Sequence, residues 1–339
     1  MRRLLTALAT GVVVAAIVAT AGLGSAGQTT TINYATSFGS FGRDAYVYAA
    51  IEKGFFADAG FEVKVTNGTG SVDNIKLVAA GRLDYAPVDI GALVVTKANE
   101  GIPVKVTSVI HQNTLSALFT LDESGIATPK DLEGKTIADS PASTVRVLFP
   151  VYAKKAGIDA SKVKFRDAAP PALPALLASK QVDAIGQFTV GVPLVVAATG
   201  GKKLKVHRYS KALPNMLGIG IIASEEKIRS NPGEVRRFNQ ALLKGLKWAI
   251  DNPGQTGWIL KKYNALADPV VAGKELRIMK NFAQNKLTRT KGNGIGYIDI
   301  GKVNSTISII RNGFKITKPV PATDIYTNVA VPARSTKKK

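Results

Sequence analysis

Residues 49–92, AAIEKGFFADAGFEVKVTNGTGSVDNIKLVAAGRLDYAPVDIGA, constrain the fold more than any other stretch of this chain. Tyr46, Ala49, Ala50 and Phe56 recur at helical spacing, and Gly54 and Gly60 punctuate the segment. Phe61, Val63 and Val65 then alternate with Glu62 and Lys64, the period of a strand. The reading is helix, strand, glycine-rich loop, helix, strand and a second polar loop. A βαβ order of this kind builds a parallel sheet, whose ligands lie beyond the carboxyl ends of the strands. The loops expected there, 67–71 and 88–91, carry Ser, Thr, Asn, Asp and Gly but no catalytic pair. They predict a chain that holds a small molecule rather than transforming it.

The rest of the sequence bounds that expectation. A length of 339 residues allows two domains or one large one, and 45 % hydrophobic residues supply material for packed cores. Arg2 and Arg3 precede an apolar run over 4–23, and small residues follow through Ala26. This layout predicts a secretory signal peptide over 1–26, with export to a periplasm or cell-surface space. The alternative is a retained anchor, since the run is long enough to span a bilayer. The chain has no cysteine, so disulfides, thiolate chemistry and a lipid-modified cysteine are excluded. The formal charge of +21 would suit nucleic acid. The cations are scattered, however, and the only tight run is Lys337, Lys338 and Lys339. The expectation is therefore a basic surface facing anionic membrane or wall, with no nucleic-acid partner.

Two segments echo each other. AAGRLDYAPVDIGA (79–92) and LASKQVDAIGQFTVG (177–191) each run helix end, turn, aliphatic residue, Asp (Asp84, Asp183), short strand and polar loop. This predicts two similar lobes: lobe one over 27–115 and 217–325, lobe two over 116–216, and a basic tail over 326–339. Two crossings between lobes make a hinge, and hinged lobes close on a ligand between them. From Pro232 to Lys286 the chain reads as mostly helical, with Phe238, Leu242, Leu246 and Ala249 on one stripe and a break at Asn252-Pro253. From Asn312 onward Pro and Lys are too frequent for core.

EKGFFADAGFEV, GRLDYA, SGIATPKDLEGKTIADSPAS, SNPGEVRRFNQALLKGLKWAIDNP and DIYTN together resemble one group. It is the substrate-binding proteins of ABC importers for nitrate, taurine, sulfonates and thiamine-pyrimidine precursors. The resemblance runs from about Thr31 to Asn328, and the thiamine-pyrimidine branch is the most similar. It implies an α/β two-lobed periplasmic-binding-protein fold of type II, with parallel sheets, helices on both faces and two crossover strands as hinge. It also implies delivery to a permease with its ATPase, membrane contact through that permease only, and a monomer without cofactor. Fungal enzymes of that branch rely on a cysteine-rich iron motif and a consumed histidine, so their role does not carry over to a chain without cysteine.

Candidate ligand contacts follow from loop positions. Ser37, Phe38 and Phe41 stand after the first strand, where backbone amides approach a ligand and rings stack on it, or where the rings merely cover a helix end. Thr69 and Ser71 precede a helix that Ser71 can cap. Asp89 can pair with a ring amine or cap the next helix. Ser140, Ser143 and Thr144 open a helix carrying Arg146, a set suited to a sulfonate or carboxylate unless Arg146 points to solvent. Gln187 and Phe188 offer an amide beside an aromatic ring, and Gln112 and Asn113 lie on a crossing, facing ligand or bonding across the hinge. His111 and His207 have no metal-ligand neighbours at useful spacing, so no metal site is expected. A secreted enzyme on the same scaffold would need a base, for which only Asp44, Asp89, Asp139 or His111 serve; a membrane-held sensory domain is the other alternative.

Overall fold

The computed structural model describes residues 29–331 and the backbone of 333–334. The expected signal peptide over 1–26 lies outside the described residues. Ten strands build the two lobes, as one five-stranded sheet and as a two-stranded and a three-stranded sheet joined by a single bridge: β1 (Thr30–Ala35), β2 (Phe61–Thr66), β3 (Ala86–Asp89), β4 (Val104–Val109), β5 (Ser116–Leu121), β6 (Thr136–Asp139), β7 (Lys164–Asp167), β8 (Ala184–Phe188), β9 (Leu204–Arg208) and β10 (Ile219–Ser224). In lobe one β1 runs parallel to β2, with Ile32 opposite Val63. Tyr34 bridges to Tyr85, at the start of β3. β10 lies between β3 and β4 and antiparallel to both. Lobe two has the order β7-β6-β8-β5-β9, with β5 as its antiparallel member.

The two-lobed α/β architecture stands, but the strands of each lobe are mixed rather than wholly parallel. The two odd strands are those that follow the crossings, β5 after 110–115 and β10 after 213–218. The βαβ strands β1, β3, β6 and β8 end toward the other lobe, so a strand arriving from that lobe starts there and must run the other way. The two crossings bond to each other: Ile110 N donates to Ile219 O at 2.8 Å, Gly218 N to His111 O at 3.1 Å and Thr114 N to Met216 O at 2.8 Å.

The sequence echo is a structural repeat. Asp84 Oδ2 accepts from Asn33 N at 2.7 Å, tying the approach to β3 to β1. Asp183 Oδ2 accepts from Thr136 N at 2.8 Å and does the same for β8 and β6. In both lobes a carboxylate takes the free amide beside the first strand and fixes the register of the third.

Helix Pro232–Asp251 carries its apolar stripe into lobe one, and the break at Asn252 is followed by helix Pro253–Tyr263. Phe238 is fully buried and stacks on Tyr85 at 3.8 Å and on Phe56 at 5.3 Å. Phe238→Ala should lower stability by about 3–5 kcal/mol in chemical denaturation, because the rings around it cannot collapse into the space. The segment after Asn312 departs from expectation. Ile325 and Val320 are buried, Tyr326 bridges to Val106, and Thr327 N donates to Val106 O at 2.9 Å. The exposed edge of β4 needs covering, and a few well-placed apolar residues do it despite the prolines and lysines around them. Among the described residues, no helix is long and apolar enough to cross a membrane.

Candidate functional site

The carboxyl ends of β1 and β8 meet around one buried guanidinium. Phe41 leads into a short turn of 3-10 helix, Gly42–Asp44, that aims Arg43 between the lobes. Its guanidinium lies over the Phe41 ring at 4.7 Å and the Phe188 ring at 5.0 Å, and Phe38 stands 6.2 Å from Phe188. Arg43 Nη2 donates to Phe38 O at 2.7 Å, and Nη1 donates to Gln187 Oε1 across the seam at 3.4 Å. Two stacked rings and a carbonyl hold the cation where water has been removed.

Acidic groups flank it. Asp44 Oδ2 faces Arg43 Nε at 3.5 Å, while its other oxygen accepts from Ser37 N and Ser37 Oγ. Glu275, on helix Pro269–Ala283, accepts from Gly42 N at 2.6 Å. Burial pushes the Glu275 carboxyl up to about 7 against the pull of Arg43, and it raises Asp44 as well. His111 is buried beside this group. Burial, with Arg43 adding to it, lowers its pKa to about 3, so the ring is neutral. Both His111 ring nitrogens, Gln187 Nε2 and Glu275 Oε1 lack a hydrogen-bond partner among the described residues. Buried polar atoms are rarely left so, and here several gather in one place.

A second contact between lobes lies beside the first. Ser71 Oγ and Thr144 Oγ1 are 2.8 Å apart, and Ser140 Oγ donates to Thr69 O at 3.1 Å. Ser71 is not the cap of its helix. That helix starts at Ser71 after Gly70, and the hydroxyl instead accepts from Asp89 N at 2.9 Å. A polar loop over 88–91 does not form either, because helix Ile90–Glu100 starts directly after β3 and Asp89 caps it through Gly91 N and Ala92 N. Gln187 and Phe188 sit on β8 itself rather than in a loop. Ser143 caps helix Thr144–Ala156.

The remaining candidates stand apart. Arg146 pairs with Asp167 on the outer edge of lobe two and lies over Phe165 at 4.9 Å. Gln112 donates to Tyr297 O at 2.8 Å, and Lys302 Nζ bonds Gln112 O and Asn113 Oδ1, each at 2.6 Å, so both serve the crossing. Thr69 turns its hydroxyl to Asp73. Arg43 and Glu275 were not among the sequence candidates. Their signals were present: Arg43 is the first charge after Arg3, and Glu275 interrupts the apolar stripe Ala272, Leu276 and Met279. Among the described residues no cluster of three metal-ligating side chains occurs. A large surface hollow of about 870 Å³ lies away from the seam, between Phe55, Leu243, Trp248, Ile295 and Val331.

Asp139, at the end of β6, is buried with Oδ2 unpartnered against Gly186, where a Cβ would come within 2.1 Å of it. Burial pushes its pKa up to about 7. The fold thus prefers the protonated acid, a stabilisation complete below the ordinary carboxyl range and lost as pH rises through about 7. Asp139→Asn should therefore gain stability relative to the native chain by a few kcal/mol between pH 4 and 8, read from thermal unfolding across that range.

Comparison with known proteins identifies the family and the fold. The family model described as NMT1/THI5 like matches residues 44–256. The riboflavin-binding protein RibY of Chloroflexus aurantiacus is 26 % identical over 302 residues, covering 85 % of this chain and 82 % of that protein. The formylaminopyrimidine-binding protein of Halalkalibacterium halodurans is 24 % identical over 211 residues, covering 62 % of this chain and 63 % of its own. Among solved structures, the alkanesulfonate-binding protein SsuA from Xanthomonas axonopodis pv. citri bound to MOPS superposes with a TM-score of 0.68 at 14 % identity, over 90 % of this chain and 98 % of that one, a likeness of fold.

Proposed function

The chain belongs to the NMT1/THI5-like family, whose named relatives here are binding proteins, and on that premise we propose that it is the exported solute-binding component of an ABC importer. It captures one small, flat heteroaromatic molecule between its lobes and hands it to a permease driven by an ATPase. The proposed division is lobe one over 27–115 and 217–325, lobe two over 116–216, with the crossings as hinge and residues 1–26 removed on export.

One observation carries this reading: the buried group of Arg43, His111, Gln187 and Glu275, ringed by Phe38, Phe41 and Phe188, at the meeting of two sheet ends. The rings offer stacking, and the unpartnered atoms offer both donors and acceptors. Arg43 already faces Asp44 and lies near Glu275, so a sulfonate or carboxylate would find no uncompensated positive charge. A neutral ring carrying amide or amine edges fits better, and the riboflavin- and formylaminopyrimidine-binding relatives favour that class. No turnover is expected, in keeping with the riboflavin- and formylaminopyrimidine-binding relatives.

The test is a thermal-shift screen with flavins, aminopyrimidines and alkanesulfonates, followed by small-angle scattering on any hit. A raised melting temperature with a heteroaromatic, compaction on binding and unchanged ligand by mass spectrometry support the proposal. A shift with sulfonates alone overturns the ligand class. Conversion of the ligand would establish an enzyme instead.

A further inference from the structure

All of the large apolar side chains that stand exposed among the described residues fall between 258 and 270: Trp258 is 67 % exposed, Tyr263 41 %, Leu266 96 % and Val270 60 %. Trp258 and Tyr263 lie on helix Pro253–Tyr263, Leu266 in the turn that follows, and Val270 in the first turn of helix Pro269–Ala283. Tyr263 is accounted for locally, since it stacks on Tyr48 at 4.5 Å and donates to Glu52. Trp258, Leu266 and Val270 have no such explanation. The helices touch where Gly257 meets Pro269, which brings Trp258 and Val270 to the same junction.

Cations continue the patch. Lys274 and Arg277 follow Val270 by one and two turns, on one helix face, and neither has an ion-pair partner among the described residues. The nearby acids are engaged: Asp268 caps Val270 N and Val271 N, Glu52 takes Lys262, and Glu275 is turned inward. The result is an exposed patch at a helix–turn–helix junction with a tryptophan, two aliphatic side chains and a free basic flank. A stable protein interface uses roughly 20–30 residues a side, far more than this patch offers. A tryptophan among aliphatic residues beside uncompensated cations instead matches the chemistry of a bilayer boundary bearing anionic headgroups.

We infer that the 258–270 segment, a helix end, its turn and the next helix start, is a wedge that seats this chain directly on an anionic lipid surface. The scattered charge, +21 over the full sequence and +19 without Arg2 and Arg3, adds long-range attraction, and the apolar patch supplies the point of insertion. The contact differs from the expectation that a permease alone brings the chain to a membrane, and it does not depend on what the cleft holds. It also orients the molecule. Asn264 Nδ2 donates to Ser40 O at 3.1 Å, so the wedge is joined to the loop that carries Phe38 and Phe41.

The chain has two tryptophans, so Trp248→Phe in the full-length protein leaves Trp258 as the sole reporter. The probe is vesicles of phosphatidylcholine and phosphatidylglycerol at three to one, with brominated phosphatidylcholine as quencher. Trp258 emission should move to shorter wavelength and be quenched, with both effects weak on pure phosphatidylcholine and suppressed in high salt. Lys274→Gln and Arg277→Gln should each weaken partitioning about fivefold, and Leu266→Ser with Val270→Ser should abolish the quenching. Trp258 unshifted and unquenched overturns the inference, whether the protein stays free or sediments with vesicles through another segment. In that case the patch faces a protein.

Discussion

Gly70→Ala should raise the apparent dissociation constant for the cleft ligand about 100-fold while leaving the two lobes folded. Gly70 stands at the seam with φ +146°, a backbone region that side chains rarely enter. A Cβ there would lie 2.4 Å from Ala142 O of the opposite lobe. That neighbour is backbone, in a turn closed by Ser143 N donating to Ser140 O at 3.0 Å, so it cannot swing aside as a side chain would. The clash falls on the state in which the lobes meet, because Ala142 belongs to the opposite lobe. A cost of about 3 kcal/mol to that state appears as lost affinity of about two decades. Gly81→Ala is the control, because Gly81 also has positive φ but nothing near its missing Cβ. Calorimetric titration of both variants with the ligand found by screening decides the matter. Equal affinities for Gly70→Ala and the native chain would mean that closure at this contact plays no part in binding.

Arg43→Met should remove ligand binding and destabilise the chain by about 3–5 kcal/mol near pH 8. Methionine fills much of the space between Phe41 and Phe188 but carries no charge. Asp44 and Glu275 are then left buried without the cation that holds their pKa values down. Their carboxyls, already raised by burial, rise further. A raised carboxyl contributes stability below its unfolded pKa and loses it as pH climbs through the folded one. The gap between native and variant should therefore be widest at alkaline pH and narrow toward pH 5, where both acids take up protons. Arg43→Lys keeps the charge but not the planar group that lies over two rings and bonds Phe38 O, so it should recover stability more than affinity. Denaturant unfolding at several pH values reads the first effect and titration the second. A pH-independent gap would show that the carboxylates do not depend on Arg43.

Much of this molecule was written in local patterns. The alternation at Phe61, Val63 and Val65, the stripe on Pro232–Asp251 and the break at Asn252 each follow from spacing that any short segment reveals. The echo of Asp84 and Asp183 pointed to two lobes, and both aspartates take the same amide in their own lobe. These features are legible because they depend on neighbours a few residues away.

The site was legible only in part. Phe38, Phe41, Gln187 and Phe188 were recognisable from their places near strand ends, and they do converge on one cation. Arg43 and Glu275 are separated by more than two hundred residues, and no local rule joins them. Arg146 shows the reverse case, a cation well placed in sequence whose helix turns it outward to Asp167.

Sequence alone determined the kind of elements, their order and the doubling of the unit, since backbone propensity and periodicity act over single turns and strands. Tertiary structure decided which polar atoms share one buried space, which serve only as caps, and which strand runs against its sheet. Those outcomes depend on desolvation and on charges brought together across lobes, quantities that exist only once distant segments are packed.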